Sequence, residues 1–352
     1  MSAIRRPSGY YDTSHYQTLA IIYTKWQWIA WIGFLVFFLL FPLFASSYLI
    51  TVAIIMCTII IAVVGLNIVV GSTGLLNIAQ SAFMAVGAFC SAILMSKAGI
   101  NFFPALLAAG FMGSIVGVLF GAPSLRIKGF YVGLATLAAY FIIIWILMDW
   151  FGGSEGHMAP RPEVFGFVFK SDASYYYLVF FLTVTMSLFA QNLFRSPVGR
   201  ALVAIRDHDI AAEILGIDIY RYKLLSFAIG SFYAGIAGSL QGHFCSFTNI
   251  EAFPFEDSIW LLGMVLVGGM GSVLGSVFGA VSFIILEEGS SYLIPVLVSL
   301  VPSLADFVEF GATLKYLSFS TIIILFVVLE PHGMAHRWNL IKASFRIYPF
   351  DY

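Results

Sequence analysis

Apolar runs of roughly 20 residues alternate with short polar links along this chain, and a run of that length crosses a bilayer as a helix. The first five apolar segments are Trp26 to Phe44, Tyr48 to Val70, Ile78 to Ala98, Phe102 to Ala122 and Phe130 to Met148. Then come Tyr176 to Phe194, Leu224 to Gly242, Ser258 to Leu286, Tyr292 to Leu304 and Thr313 to Leu329. The pattern predicts an all-α polytopic integral membrane helix bundle of about ten transmembrane segments, a single domain over the whole chain. The eighth segment is long and interrupted by glycines. The ninth is short and carries Pro295 and Pro302, so it either re-enters the membrane or crosses at a tilt. Arg5 and Arg6 ahead of an apolar run, with Ala45-Ser46-Ser47 behind it, have the outline of a cleaved leader. The run is longer than the roughly 7–15 residues of such leaders, so an uncleaved first span is expected.

The polar links set the orientation. Arg5, Arg6 and Lys25 precede the first span, Arg126 and Lys128 follow the fourth, and Arg195, Arg200, Arg206, Arg221 and Lys223 follow the sixth. Arg337, Lys342 and Arg346 lie in the tail. With an even number of spans all four groups fall on one side, which the positive-inside rule makes the cytoplasm, and both termini are expected there. The other side carries Asp149, Glu155, Glu163, Glu251, Glu256 and Asp257. Trp26, Trp28, Tyr48, Trp145, Trp150, Tyr175, Tyr176, Tyr177, Trp260 and Tyr292 sit near segment ends, as interfacial aromatics do.

Composition agrees with a lipid solvent: 61% of residues are hydrophobic and 10% charged, against about 25% charged in a soluble domain. A net charge of −1 gives no field for nucleic acid. Cys57, Cys90 and Cys245 are too widely spaced for a disulfide framework or a metal site, and no cofactor is expected. The spans hold almost no ionisable residue; acids such as Glu287 and Glu288 stand at segment ends. Pumps and ion-coupled carriers need intramembrane charge. No Gly-Lys dipeptide occurs, so there is no P-loop. The energy source is therefore expected outside this polypeptide.

Two glycine stretches look alike, Gly71-Ser72-Thr73-Gly74 and Gly268-Gly269-Met270-Gly271, each read as leading into an apolar helix. Paired glycine-interrupted segments point to an internal repeat around a central pathway; close helix packing is the plainer reading. Asn67, Asn77, Gln80 and Ser81 accompany the first stretch, the last three on one helical face by their spacing. Such amides and hydroxyls either join helices or line a solute path, and with Thr136 they form the candidate pathway set.

The longest polar interruption is Arg195 to Lys223, with five of the 17 Lys and Arg residues. Ser196-Pro197 signals a helix start, and Val198, Ala201, Leu202 and Ile205 form an apolar stripe with Arg200 and Arg206 off it. A second short helix runs from Asp209, read as its cap, through Ala211, Ala212 and Glu213 to Gly216, its stop. An amphipathic hairpin of this kind either rests on anionic membrane lipid or docks a protein partner.

This loop, RSPVGRALVAIRDHDIAAEILGI, resembles the cytoplasmic loop of bacterial ABC-importer permeases for branched-chain amino acids, the LivH/LivM type, and is closer to the LivM branch. The resemblance extends to GSTGLLNIAQSAFMAVGAF, to Leu125–Tyr131 running on to Ala135-Thr136-Leu137-Ala138, and to Gly152-Gly153-Ser154-Glu155-Gly156. Val267–Ser272 and Glu330-Pro331-His332-Gly333 also fit, while His157 departs from the pattern. The resemblance implies one of two membrane subunits, paired with a LivH-like sister permease. It also implies two cytoplasmic ATP-binding subunits beneath and a periplasmic solute-binding protein that delivers substrate at the bacterial inner membrane. It makes the stretch with Arg200, Arg206, Asp209, Ala211, Ala212, Glu213 and Gly216 the ATPase coupling loop. Close relatives carrying urea or short amides leave the substrate open, and an ion-coupled secondary carrier is the alternative from another class.

Overall fold

The computed structural model describes residues 25–125, 129, 131–152, 155–164, 167–169, 171–300, 320–321, 323–326, 328, 330 and 333–347. Expectations for Arg5, Arg6, Arg126, Lys128, Pro302 and both chain ends lie outside them, as do residues 313–319 of the tenth segment.

Helices α1 (Lys25–Phe44), α2 (Ser47–Thr73), α3 (Gln80–Ser96), α4 (Phe102–Ser124) and α5 (Tyr131–Trp150) follow the first five apolar segments. Helix α6 (Asp172–Arg195) leads into two short helices, α7 (Pro197–Asp207) and α8 (Asp209–Ile214), and then into α9 (Ile219–Cys245). Helices α10 (Phe255–Gly268), α11 (Val273–Leu300) and α12 (Met334–Ile347) complete the order. Two-residue strands pair as β1 (His157–Met158) with β4 (Phe247–Thr248), and β2 (Glu163–Val164) with β3 (Phe167–Val168), at the end of the bundle away from α7 and α8.

Five helices, α2, α4, α5, α6 and α9, are long and apolar enough to cross a membrane, or six spans if the bent pair α10–α11 counts as one. The expected ten are not reached among the described residues, because α3 and the apolar part of α1 are short and the tenth segment is only partly described.

Helix α2 is the axle of the bundle. From Ile60 to Thr73 nearly every side chain is buried, which suits a helix that is apolar all round. Ser46 caps its start and Gly74, at φ 70°, ends it. At 27 residues it extends about 40 Å. Helix α9 packs against α2, α3 and α4 through backbone contacts that only glycine permits. A Cβ on Gly238 would stand 1.9 Å from the Met84 carbonyl oxygen, and one on Gly87 2.1 Å from that of Gly235. Small residues let backbones approach closely where lipid supplies no hydrophobic drive.

Several expectations change. The third segment does not start as helix at Ile78: residues 74–79 are irregular, and α3 begins at Gln80. Asn77 therefore precedes the helix and does not share a face with Gln80 and Ser81; its Oδ1 accepts from Ala79 N–H in a local turn. The eighth segment is two helices with a bend of 120° between them, because Gly269 and Gly271 have φ of 117° and 77°, which no right-handed helix contains. Helix α11 then continues through Pro295, so the start of the ninth segment belongs to α11; a missing N–H in a membrane helix is tolerated. Glu287 and Glu288 thus lie inside α11, yet Tyr48 at the start of α2 donates to Glu288, which puts that turn level with the end of the bundle. Tyr175 and Tyr176 are buried, not interfacial, since their hydroxyls donate to the carbonyls of Leu240 and Phe38.

Candidate functional site

The linking loop between α6 and α9 is narrower than its polar sequence. Arg195 ends α6, and Arg221 and Lys223 lie in the first turns of α9. Ser196 caps α7, accepting from Gly199 N–H at 3.2 Å, with Pro197 in the first helical position. Ala201, Leu202 and Ile205 are buried, so α7 is fastened to the bundle, and Val198 is half-buried beside them. Arg200 points outward and donates to the Arg195 carbonyl at 3.2 Å.

His208, extended at φ −157°, is the residue before α8. Asp209 is therefore not the cap but the first helical residue, where its carboxylate accepts from the adjacent Ile210 N–H at 2.9 Å, at the positive end of the helix. Gly216, at φ 84°, closes α8: its N–H donates to Glu213 and the N–H of Ile217 to Ala212. That bond pair is a Schellman closure. Ala212 is buried, whereas Ala211 and Glu213 are exposed. So are three apolar side chains, Ile210, Ile214 (82%) and Leu215 (80%). A capped helix that turns its large apolar residues outward is built to be covered.

Inside the bundle the two glycine stretches meet. Gly71-Ser72-Thr73 ends α2 instead of leading into the next helix, and a Cβ on Gly71 would lie 2.3 Å from the Gly271 nitrogen. Asn67 ties the junction. Its Nδ2 donates to the Ser272 carbonyl at 2.9 Å and to Ser276 Oγ at 2.7 Å, while its Oδ1 accepts from Gly271 N–H at 2.8 Å. On the other side Gly333 abuts the same break, where an added Cβ would be 2.5 Å from Gly269 Cα. Glu330 and Arg337 pair beside it. Sequence reading matched the glycine stretches to each other but gave no sign that they touch. It also missed Ser258, Ser272 and Ser276, whose partners are remote in the chain.

A second junction lies deeper. Gln80 Nε2 donates to the Ala62 carbonyl at 3.0 Å, about 16 Å back along α2 from its end. The non-helical stretch 74–79 thus climbs into the bundle, and α3 starts part-way through it. Helix α10 starts nearby in the opposite direction. Ser81 N–H donates to Ser258 Oγ at 3.0 Å, and the two hydroxyl oxygens are 2.6 Å apart. Asn77 donates to Gln80 Oε1, and Thr136 Oγ1 accepts from Ile78 N–H and donates to the Gly133 carbonyl. Asn67, Asn77, Gln80, Ser81 and Thr136 are all at most 2% exposed and all hydrogen-bonded within the chain. Two helix N-termini facing one another bring their positive ends together, an arrangement found where half-helices flank an anionic solute.

A family model described as "Branched-chain amino acid transport system / permease component" matches residues 47–328. The chain belongs to that family. The chain is 34% identical over 284 residues to the high-affinity branched-chain amino acid permease protein LivM of Escherichia coli, covering 73% of this chain and 67% of that one. It is 26% identical over 248 residues to LivH of the same organism, covering 65% and 80%. The guanosine ABC transporter permease protein NupQ of Bacillus subtilis is 23% identical over 191 residues, covering 48% and 58%. No solved structure matches the chain. The permease is thus a helical membrane protein of a transport family, and no group of three or more potential metal ligands occurs among its described residues.

Proposed function

We propose that this permease is the LivM-type membrane subunit of a binding-protein-dependent ABC importer that admits branched-chain amino acids to the bacterial cytoplasm. It pairs with a LivH-like sister in the inner membrane. Two ATP-binding subunits hydrolyse ATP beneath it, so the permease itself is not an enzyme, and a periplasmic solute-binding protein supplies substrate. The end of the bundle with α7 and α8 faces the cytoplasm, with both termini on that side. The observation that carries this reading is the outward apolar surface of α8: Ile210, Ile214 and the C-cap Leu215, on a helix closed at its C-terminal end. Lipid would accept such side chains, but a rigid, closed six-residue helix suits a protein groove better.

Solute passes along the seam between the starts of α3 and α10, lined by Asn77, Gln80, Ser81 and Thr136. Asn67 holds the adjoining glycine break. The seam is closed in this structure, and its opening is the step that ATP drives.

The test is co-purification. Wild-type permease expressed with its sister and the two ATP-binding subunits should retain both ATPases. Leu215→Asp should lose them while the permease–sister pair stays intact. ATPases that remain bound to Leu215→Asp at wild-type yield would contradict the docking assignment.

A further inference from the structure

The coupling-loop pattern treats Arg206 as part of the surface offered to the ATPase, but its guanidinium turns inward. Nη1 donates to the Gly71 carbonyl at 2.7 Å. Gly71 is within the last turn of α2, whose final carbonyls no helical N–H can reach, and a cation there also meets the negative end of the helix. Nε and Nη2 donate to Asp207 Oδ1 at 3.2 and 3.1 Å, which fixes the plane of the fork. The same Nη1 would be 2.9 Å from a Cβ on Gly271, and Cγ would be 3.3 Å from one on Gly74. One side chain therefore touches the end of α2, the start of the non-helical stretch that leads to α3, and the α10–α11 break.

We propose that Arg206 is the positioning residue that transmits movement of the docking helix to the glycine break; this rests on the importer reading above. Helix α7 is fastened by Ala201, Leu202 and Ile205, and only His208 separates it from α8. A push on α8 is passed to α7, and from the last turn of α7 through the guanidinium to Gly71 and Gly271. The break is the part of the bundle able to respond, because its positive-φ glycines let α10 and α11 change angle without disturbing the ladder of either helix. Arginine is suited to this work: its planar fork engages two partners in fixed directions, where lysine offers a single mobile charge.

The assembled importer, with sister, ATPases and binding protein in proteoliposomes, tests this by the number of ATP molecules hydrolysed per radiolabelled leucine imported. Arg206→Gln should keep the assembly and its ATP hydrolysis but raise that ratio by about tenfold, the scale of one charge-assisted hydrogen bond. Arg206→Lys, which reaches the Gly71 carbonyl without the fork, should fall between. An unchanged ratio in Arg206→Gln overturns the proposal. So does a proportional loss of hydrolysis and uptake, or a failure of both variants to assemble, because Arg206 would then be a docking or folding contact. If the wild-type assembly shows no ATP-dependent leucine uptake, the importer reading itself fails, a result distinct from any of these.

Discussion

Replacing Asn67 by alanine removes the tie between α2 and the break. Three hydrogen bonds are lost: to the Ser272 carbonyl, to Ser276 Oγ and from Gly271 N–H. Ser276 keeps a long contact of 3.4 Å to the Ser272 carbonyl, whereas the half-buried Gly271 N–H loses its side-chain acceptor. Hydrogen bonds between membrane helices average about 0.6 kcal/mol and reach about 1.7 kcal/mol; leaving a buried donor unsatisfied costs about 1–3 kcal/mol. Three such bonds come to about 1.8 kcal/mol, and the half-buried Gly271 N–H adds about 1 kcal/mol, the low end of that penalty, so the loss for Asn67→Ala is about 3 kcal/mol. Unfolding of the purified permease in mixed detergent micelles, titrated with a denaturing detergent and followed by circular dichroism, measures it. The double variant with Ser276→Ala should show a coupling of about 0.5 kcal/mol or more between the two positions. A loss below about 0.5 kcal/mol, or additive single effects, would refute the tie and return Asn67 to the solute path as a free amide.

Three other outcomes are expected. Gly238→Ala puts a methyl group 1.9 Å from the Met84 carbonyl oxygen and should destabilise the bundle by about 1–3 kcal/mol or prevent its accumulation in the membrane, whereas Gly33→Ala, with nothing within 4 Å, should be neutral or slightly stabilising. In a background lacking Cys57, Cys90 and Cys245, a cysteine at Ser81 should resist a small polar thiol reagent in the resting assembly and react once ATP is trapped; equal protection in both states would make the seam a packing contact. Competition against leucine uptake should be strong with isoleucine and valine and weak with urea and guanosine, and the reverse order would move the permease to another substrate class.

Hydropathy located the first seven apolar segments to within a few residues, because each long link is polar and each span is not. It left residues 71–77 between two segments but did not show that this stretch climbs back into the bundle, since Leu75, Leu76, Ile78 and Ala79 are as apolar as the helices beside them. It also merged α10 with the start of α11, because glycine lowers neither hydropathy nor length; only the backbone at Gly269 and Gly271 shows the turn. The α7–α8 hairpin was legible from local signals, Ser196-Pro197 and Gly216, whose partners lie within a few residues. Arg206 was legible only as a charge off the apolar stripe. Its partner Gly71 lies 135 residues away in the chain, and no local pattern encodes that distance. The same limit hid Ser258 from Ser81 and Ser272 from Asn67. For Tyr175 and Tyr176, position near a segment end suggested the interface, but carbonyl oxygens of α9 and α1 supplied the partners that let both rings go inside.

On the proposed importer function, this permease moves solute only as one part of an ATP-driven assembly. Accumulation of radiolabelled leucine in proteoliposomes tests it directly, comparing the permease alone under imposed proton, sodium and solute gradients with the permease joined by its sister, two ATP-binding subunits and the binding protein. The expected result is no concentrative uptake by the isolated chain, and uptake by the full assembly that needs both ATP and the binding protein. Gradient-driven accumulation by the isolated chain would contradict it and make the protein a secondary carrier.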